Sequence, residues 1–162
     1  MKIKLVPFII FGIIILGFES CSKSNLSTTS TASNIGFYSM LNGANATPPN
    51  GSKATGSATF TYNPSTHILS GSITFQGLSP TGAHIHEGAP GVGGVVIFVL
   101  ASGSVTSPIS FTSPVLDATE RASLLANQYY INLHSTAYPD GEIRGQLVQQ
   151  NPASGGNAGN PY

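Results

Sequence analysis

Three imidazoles in this chain are spaced so that they could bind a transition metal. In GAHIHE (82–87), His84 and His86 are separated by one residue. Residues i and i+2 of a strand share a face, with Cα atoms about 6.5–7 Å apart. Both rings can therefore reach one ion at bond lengths of about 2 Å. In YYINLHS (129–135), the same alternation puts Ile131 and Leu133 on one face and Tyr130, Asn132 and His134 on the other. All three histidines thus fall opposite the aliphatic positions, and they meet if the two strands are neighbours. Three imidazoles with an open position suit zinc or copper. The competing reading is structural, with these rings hydrogen-bonding loop backbone over a half-covered sheet face. His67 opens a strand after a turn and reads as a surface residue.

Other polar motifs point to less chemistry. GAPGVGG (88–94) has the glycine content of an anion cradle but no helix following it, so it reads as a hairpin connection. YPDGEIRGQ (138–146) holds a Pro-Asp-Gly turn, then Glu142 and Arg144 two residues apart. Arg144 is expected as a structural clamp, paired with Glu142, Glu87 or a loop carbonyl. No serine stands in a nucleophile-elbow context. With no complete catalytic set, no catalytic residue is assigned, and a non-enzymatic module is expected.

The elements that must position these groups are short and rich in turns. ATGSATFTY (54–62) alternates, with Ala58, Phe60 and Tyr62 on one face, and HILSGSITF (67–75) does the same with Leu69, Ile73 and Phe75. The NPST between them is turn chemistry, so the pair reads as a hairpin. IGFYSML, VVIFVL, PISF and GEIRGQLVQ supply further strands. In DATERASLLANQ (117–128), Asp117 and Glu120 form a capping-box pattern for one short helix, with Leu124 and Leu125 toward the core. The expectation is an all-β antiparallel Greek-key or immunoglobulin-like sandwich or barrel of about eight strands with one short helix.

The ends differ from this middle. Lys2 and Lys4 precede an apolar run, Leu5 to Phe18, too short to span a bilayer but suited to a signal peptide over 1–20. The lone cysteine, Cys21, follows at once, where bacterial lipoprotein signals place the residue that carries lipid. A Ser/Thr-rich tether over 21–34, a folded domain over 35–149 and a low-complexity tail over 150–162 complete the expected organisation. An exported protein, lipid-anchored to a membrane of the bacterial envelope (the outer membrane by preference), follows from this reading. Only 7% of the chain is charged and the formal net charge is zero, which gives nucleic acid no electrostatic footing. The partners expected are the membrane, through the lipid, and an unidentified protein or glycan.

GAHIHEGAPGVGGVVIFVL and YYINLHSTAYPDGEIRGQL together resemble the two signature blocks of the CHRD (chordin-type) domain, and ATGSATFTYNPSTHILSGSITFQGLSP resembles its opening hairpin. The resemblance covers about 35–149 and implies an extracellular β domain without an established activity. HIHEG also resembles, more weakly, the His-x-His strand of copper/zinc superoxide dismutases. That likeness implies copper on His84 and His86, a later ligand at His134 and redox activity. Two departures stand against it: no histidine-rich loop follows His86, and one cysteine cannot form an intradomain disulfide.

Overall fold

The computed structural model describes residues 32–150. The signal segment, Cys21, most of the tether and the tail from 151 lie outside them.

Alternation builds the sheet. Nine strands form: β1 (Ile35–Asn42), β2 (Thr55–Asn63), β3 (Ile68–Gln76), β4 (Gly82–Glu87), β5 (Val95–Ser102), β6 (Ile109–Thr112), β7 (Tyr129–His134), β8 (Ile143–Gln146) and β9 (Val148–Gln149). Every pairing is antiparallel. The order across the sheet is β5-β4-β7-β8-β1-β2-β3-β6, with β9 also on β1. The two ends of this path approach each other: Phe98 of β5 and Phe111 of β6 stand with ring centroids 5.5 Å apart. One sheet therefore curls nearly into a barrel, which removes most of the exposed edge. The expected hairpin is β2–β3, in register from Thr55↔Gln76 to Asn63↔Ile68. GEIRGQLVQ splits into β8 and β9, because Leu147 donates its N–H to Tyr129 O and pairing then passes to β1.

The inward residues fill the barrel. Phe37, Phe60, Ile73, Ile85, Ile131, Leu133 and Ile143 are buried in one cluster. The capping box forms as expected before α1 (Ala118–Leu125): Asp117 Oδ1 accepts from Glu120 N, and Glu120 Oε2 accepts from Asp117 N, both at 2.8 Å. Leu124 is fully buried on this helix, but Leu125 is 41% exposed. The expected pair of core leucines is thus one. Adjacent helix positions diverge by about 100°, and an eight-residue helix lying on the barrel buries a narrow stripe.

Tyr129 is the largest fully buried side chain, and its hydroxyl has no hydrogen-bond partner. Burial, with Glu120, Glu87 and Asp117 nearby, raises its pKa, so the group stays neutral. A buried hydroxyl without a partner costs about 1–3 kcal/mol in lost hydration. Tyr129→Phe keeps the ring and removes that cost. We expect it to raise unfolding stability in urea by about 1 kcal/mol, whereas a loss would show that the hydroxyl is bonded in solution.

Candidate metal centre

The outward face of β4, β7 and β8 is polar yet buried. His86, Asn132, Arg144 and Gln146 are each less than a tenth exposed. Loops fold over this face: residues 88–94 after β4, 43–54 after β1, and 135–142 after β7. Three of its buried polar atoms have no partner: His86 Nε2, Asn132 Oδ1 and Gln146 Oε1. Buried polar atoms are nearly always satisfied, so these three lack a partner that most buried groups have.

The strands bring the histidines together. β4 and β7 are direct neighbours, with His84↔Asn132, His86↔Tyr130 and Gly82↔His134 in register. Because Gly82 has no side chain, nothing opposite His134 separates its ring from that of His84. His84 Nδ1 lies 3.0 Å from His134 Nε2. Ring centroids are 4.9 Å apart for His84–His134, 5.7 Å for His84–His86 and 6.1 Å for His86–His134. One ligand nitrogen from each ring lies within 4.8 Å of the other two. Tetrahedral ligands at zinc bond lengths stand about 3.3 Å apart, so the rings must draw closer together to share one ion.

The hydrogen bonds fix which nitrogen is free. A carbonyl can only accept, so His86 Nδ1 donates to Gly94 O (3.0 Å) and His134 Nδ1 donates to Pro139 O (2.9 Å). In the neutral rings both Nε2 atoms then carry lone pairs. His84 Nδ1–H must donate to His134 Nε2, which leaves the Nε2 of His84 bare. Backbone carbonyls holding Nδ1–H are the outer-shell arrangement that orients imidazole ligands. Burial lowers the pKa of His84, with His134 and His86 adding repulsion. Burial also lowers that of His86; the bond to Gly94 O opposes this, while His134 and Arg144 reinforce it. Both rings therefore favour the neutral form that ligates.

Tyr130 links this cluster to the rest of the face. Its ring stacks on His86, with centroids 4.9 Å apart and planes 8° from parallel, and its hydroxyl accepts from Gly94 N (3.0 Å). The Arg144 guanidinium carbon lies 3.6 Å from the Tyr130 ring centre. The alternation that placed Tyr130 and Asn132 beside His134 was visible in the sequence; the loops that bury them were not.

The remaining sequence candidates lie elsewhere. His67, at φ 58°, shares a 3.0 Å hydrogen bond with Tyr62 Oη, away from the cluster. Arg144 takes the loop carbonyl among its three expected partners: it donates to Ala89 O (2.9 Å) and to Thr47 Oγ1 (2.5 Å). The expected pair with Glu142 does not form, because Glu142 Oε1 accepts from Ser52 Oγ (2.6 Å). Glu87 Oε1 likewise accepts from Ser123 Oγ (2.6 Å). The loop after β1 supplies both Thr47 and Ser52, and it lies too far along the chain for spacing to reveal. GAPGVGG is the β4–β5 connection, as its glycines suggested.

The family model described as the CHRD domain matches residues 37–147. No curated protein and no solved structure matches the chain.

Proposed function

Since the chain belongs to the CHRD-domain family, we propose that it is an envelope-anchored binding module whose β domain holds a zinc or copper ion on His84, His86 and His134. One observation carries the metal reading: the Nε2 of His86 is buried, bears a lone pair and has no partner, and two further imidazoles converge beside it. A structural role accounts for the two Nδ1–H bonds to loop carbonyls, but not for a buried lone pair left without a partner beside two other imidazoles. An ion supplies what His86 Nε2 lacks, and His134 Nε2 joins it by giving up the hydrogen bond from His84 Nδ1–H. Three nitrogen ligands leave a fourth position for water or a partner's donor group. Anchoring rests on the sequence alone: a short apolar run, then Cys21, then a Ser/Thr-rich tether.

The test is elemental analysis of the full chain after loading with zinc or Cu(II) and removal of unbound ion. The expected result is one equivalent retained, and none retained overturns the metal reading. The anchor is read separately. The native chain should fractionate with membranes and a Cys21→Ser variant should not; equal release of both overturns it.

A further inference from the structure

The same outward face carries a second feature on the β8 side of Tyr130. A cleft of about 290 Å³ opens between the loops after β1 and β4. Ala44, Ala46, Pro49 and Pro90 wall it, and Arg144 and Gln146 enter from β8.

Arg144 is 2% exposed, and among the described residues its hydrogen bonds run to two neutral oxygens, those of Thr47 and Ala89. Among the described residues no carboxylate pairs with it. A guanidinium remains charged at any physiological pH, and a buried charge without a counter-charge is costly. Stacking on Tyr130 offsets part of that cost. Two of the five N–H groups are used, which leaves donors for a further acceptor. Gln146 adds a second unmet demand. Its Nε2 donates to Gly88 O (2.9 Å) and Asn127 O (2.7 Å), which fixes the amide, and its buried Oε1 finds no donor.

We propose that this cleft binds a small carboxylate that also bears a hydroxyl, of the sugar-acid or hydroxy-acid class, with the carboxylate on Arg144 and the hydroxyl donating to Gln146 Oε1. The single cation sets the charge. Among the described residues Arg144 is the one charged side chain lining the cleft, so a phosphate dianion would remain half neutralised. Its volume, near the lower end of the usual range of about 300–1,000 Å³ for ligand sites, suits one sugar ring. The small apolar walls suit the ring's hydrocarbon faces. None of this depends on a metal at the histidines.

The test is an NMR titration of the full chain with glucuronate, and with glucose, hexanoate and inorganic phosphate for comparison. Glucuronate should perturb Ala44–Thr47, Gly91 and Arg144, and glucose should bind at least about tenfold more weakly, since the charge-assisted bonds are lost. Arg144→Gln should lose at least about tenfold as well. Because Arg144 also ties two loops together, Ala44→Phe is the cleaner variant. Ala44 is exposed and lines the cleft, and a phenyl group there takes up cleft space while Arg144 itself is unchanged; binding should vanish with the melting temperature unchanged. Glucose binding as tightly as glucuronate, phosphate binding more tightly, or full binding by Ala44→Phe would each overturn the proposal. Hexanoate matching glucuronate would overturn the hydroxyl contact to Gln146.

Discussion

His86→Ala should lower the affinity of the full chain for zinc or Cu(II) by more than about a hundredfold. Loss of an outer-shell partner alone costs about 10–100-fold, and His86 is proposed as a ligand itself. The fold should survive the change. His86 contributes a stack on Tyr130 and one bond to Gly94 O, but it also buries a nitrogen with no partner, and alanine removes that cost together with the contacts. Urea unfolding beside the metal titration separates the two effects. His67→Ala, in the turn between β2 and β3, should leave affinity unchanged. Retained stoichiometric binding in His86→Ala would remove His86 from the site.

Acid should act on the same site in a defined direction. The pKa values of His84 and His86 are lowered from the usual 6.5, first by burial and then by neighbouring rings. These two rings therefore lose their protons more readily than a free imidazole. On acidification, protons compete for the ligand nitrogens and affinity falls as pH drops through the lowered values. The folded state without metal follows the same sign. The unfolded chain binds protons at these rings more readily than the native one, so stability present above about pH 6.5 is lost on acidification.

Much of this site was legible because a strand has a period of two. Once Ile131 and Leu133 are assigned inward, Tyr130, Asn132 and His134 must face outward together, and His84 with His86 opposes Ile85 in the same way. The structure keeps each of those faces. The capping box at Asp117 was legible for a similar reason: it is a local hydrogen-bond pattern spanning four residues. What escaped the sequence depends on distant segments. Glu142 and Arg144 are two apart, which suggests a pair, yet Ser52 and Thr47 reach them from about ninety residues away. The polar outer face becomes a buried layer only because three loops close over it. That closure turns an ordinary His-x-His strand into a set of nitrogens with fixed protons, and it creates the Arg144 cleft. Leu125 marks another limit, since the helix pattern gives two apolar positions but tertiary packing chooses between them.

The geometry of both sites rests on one close backbone approach, and disturbing it should have the largest structural effect. Gly145 of β8 faces inward, where β1 passes against it. A Cβ built there would lie 2.3 Å from Ser39 Oγ and 2.4 Å from the carbonyl oxygen of Met40. The second contact is to backbone, so a rotamer change cannot relieve it. β1 is the strand that joins β5-β4-β7-β8 to β2-β3-β6, and β8 meets it in register at Asn42↔Arg144, the residue next to Gly145. Gly145→Val must therefore push β8 from β1 and divide the sheet at its middle. Overpacking a well-filled interior usually costs about 1–3 kcal/mol, and here the strain falls on paired backbone, so a loss of about 3 kcal/mol or more is expected. Urea unfolding measures it directly. Metal and glucuronate binding should weaken together, because β8 carries Arg144 and also braces β7, which presents His134. A midpoint equal to that of the native chain would show that β1 does not pass this close to β8.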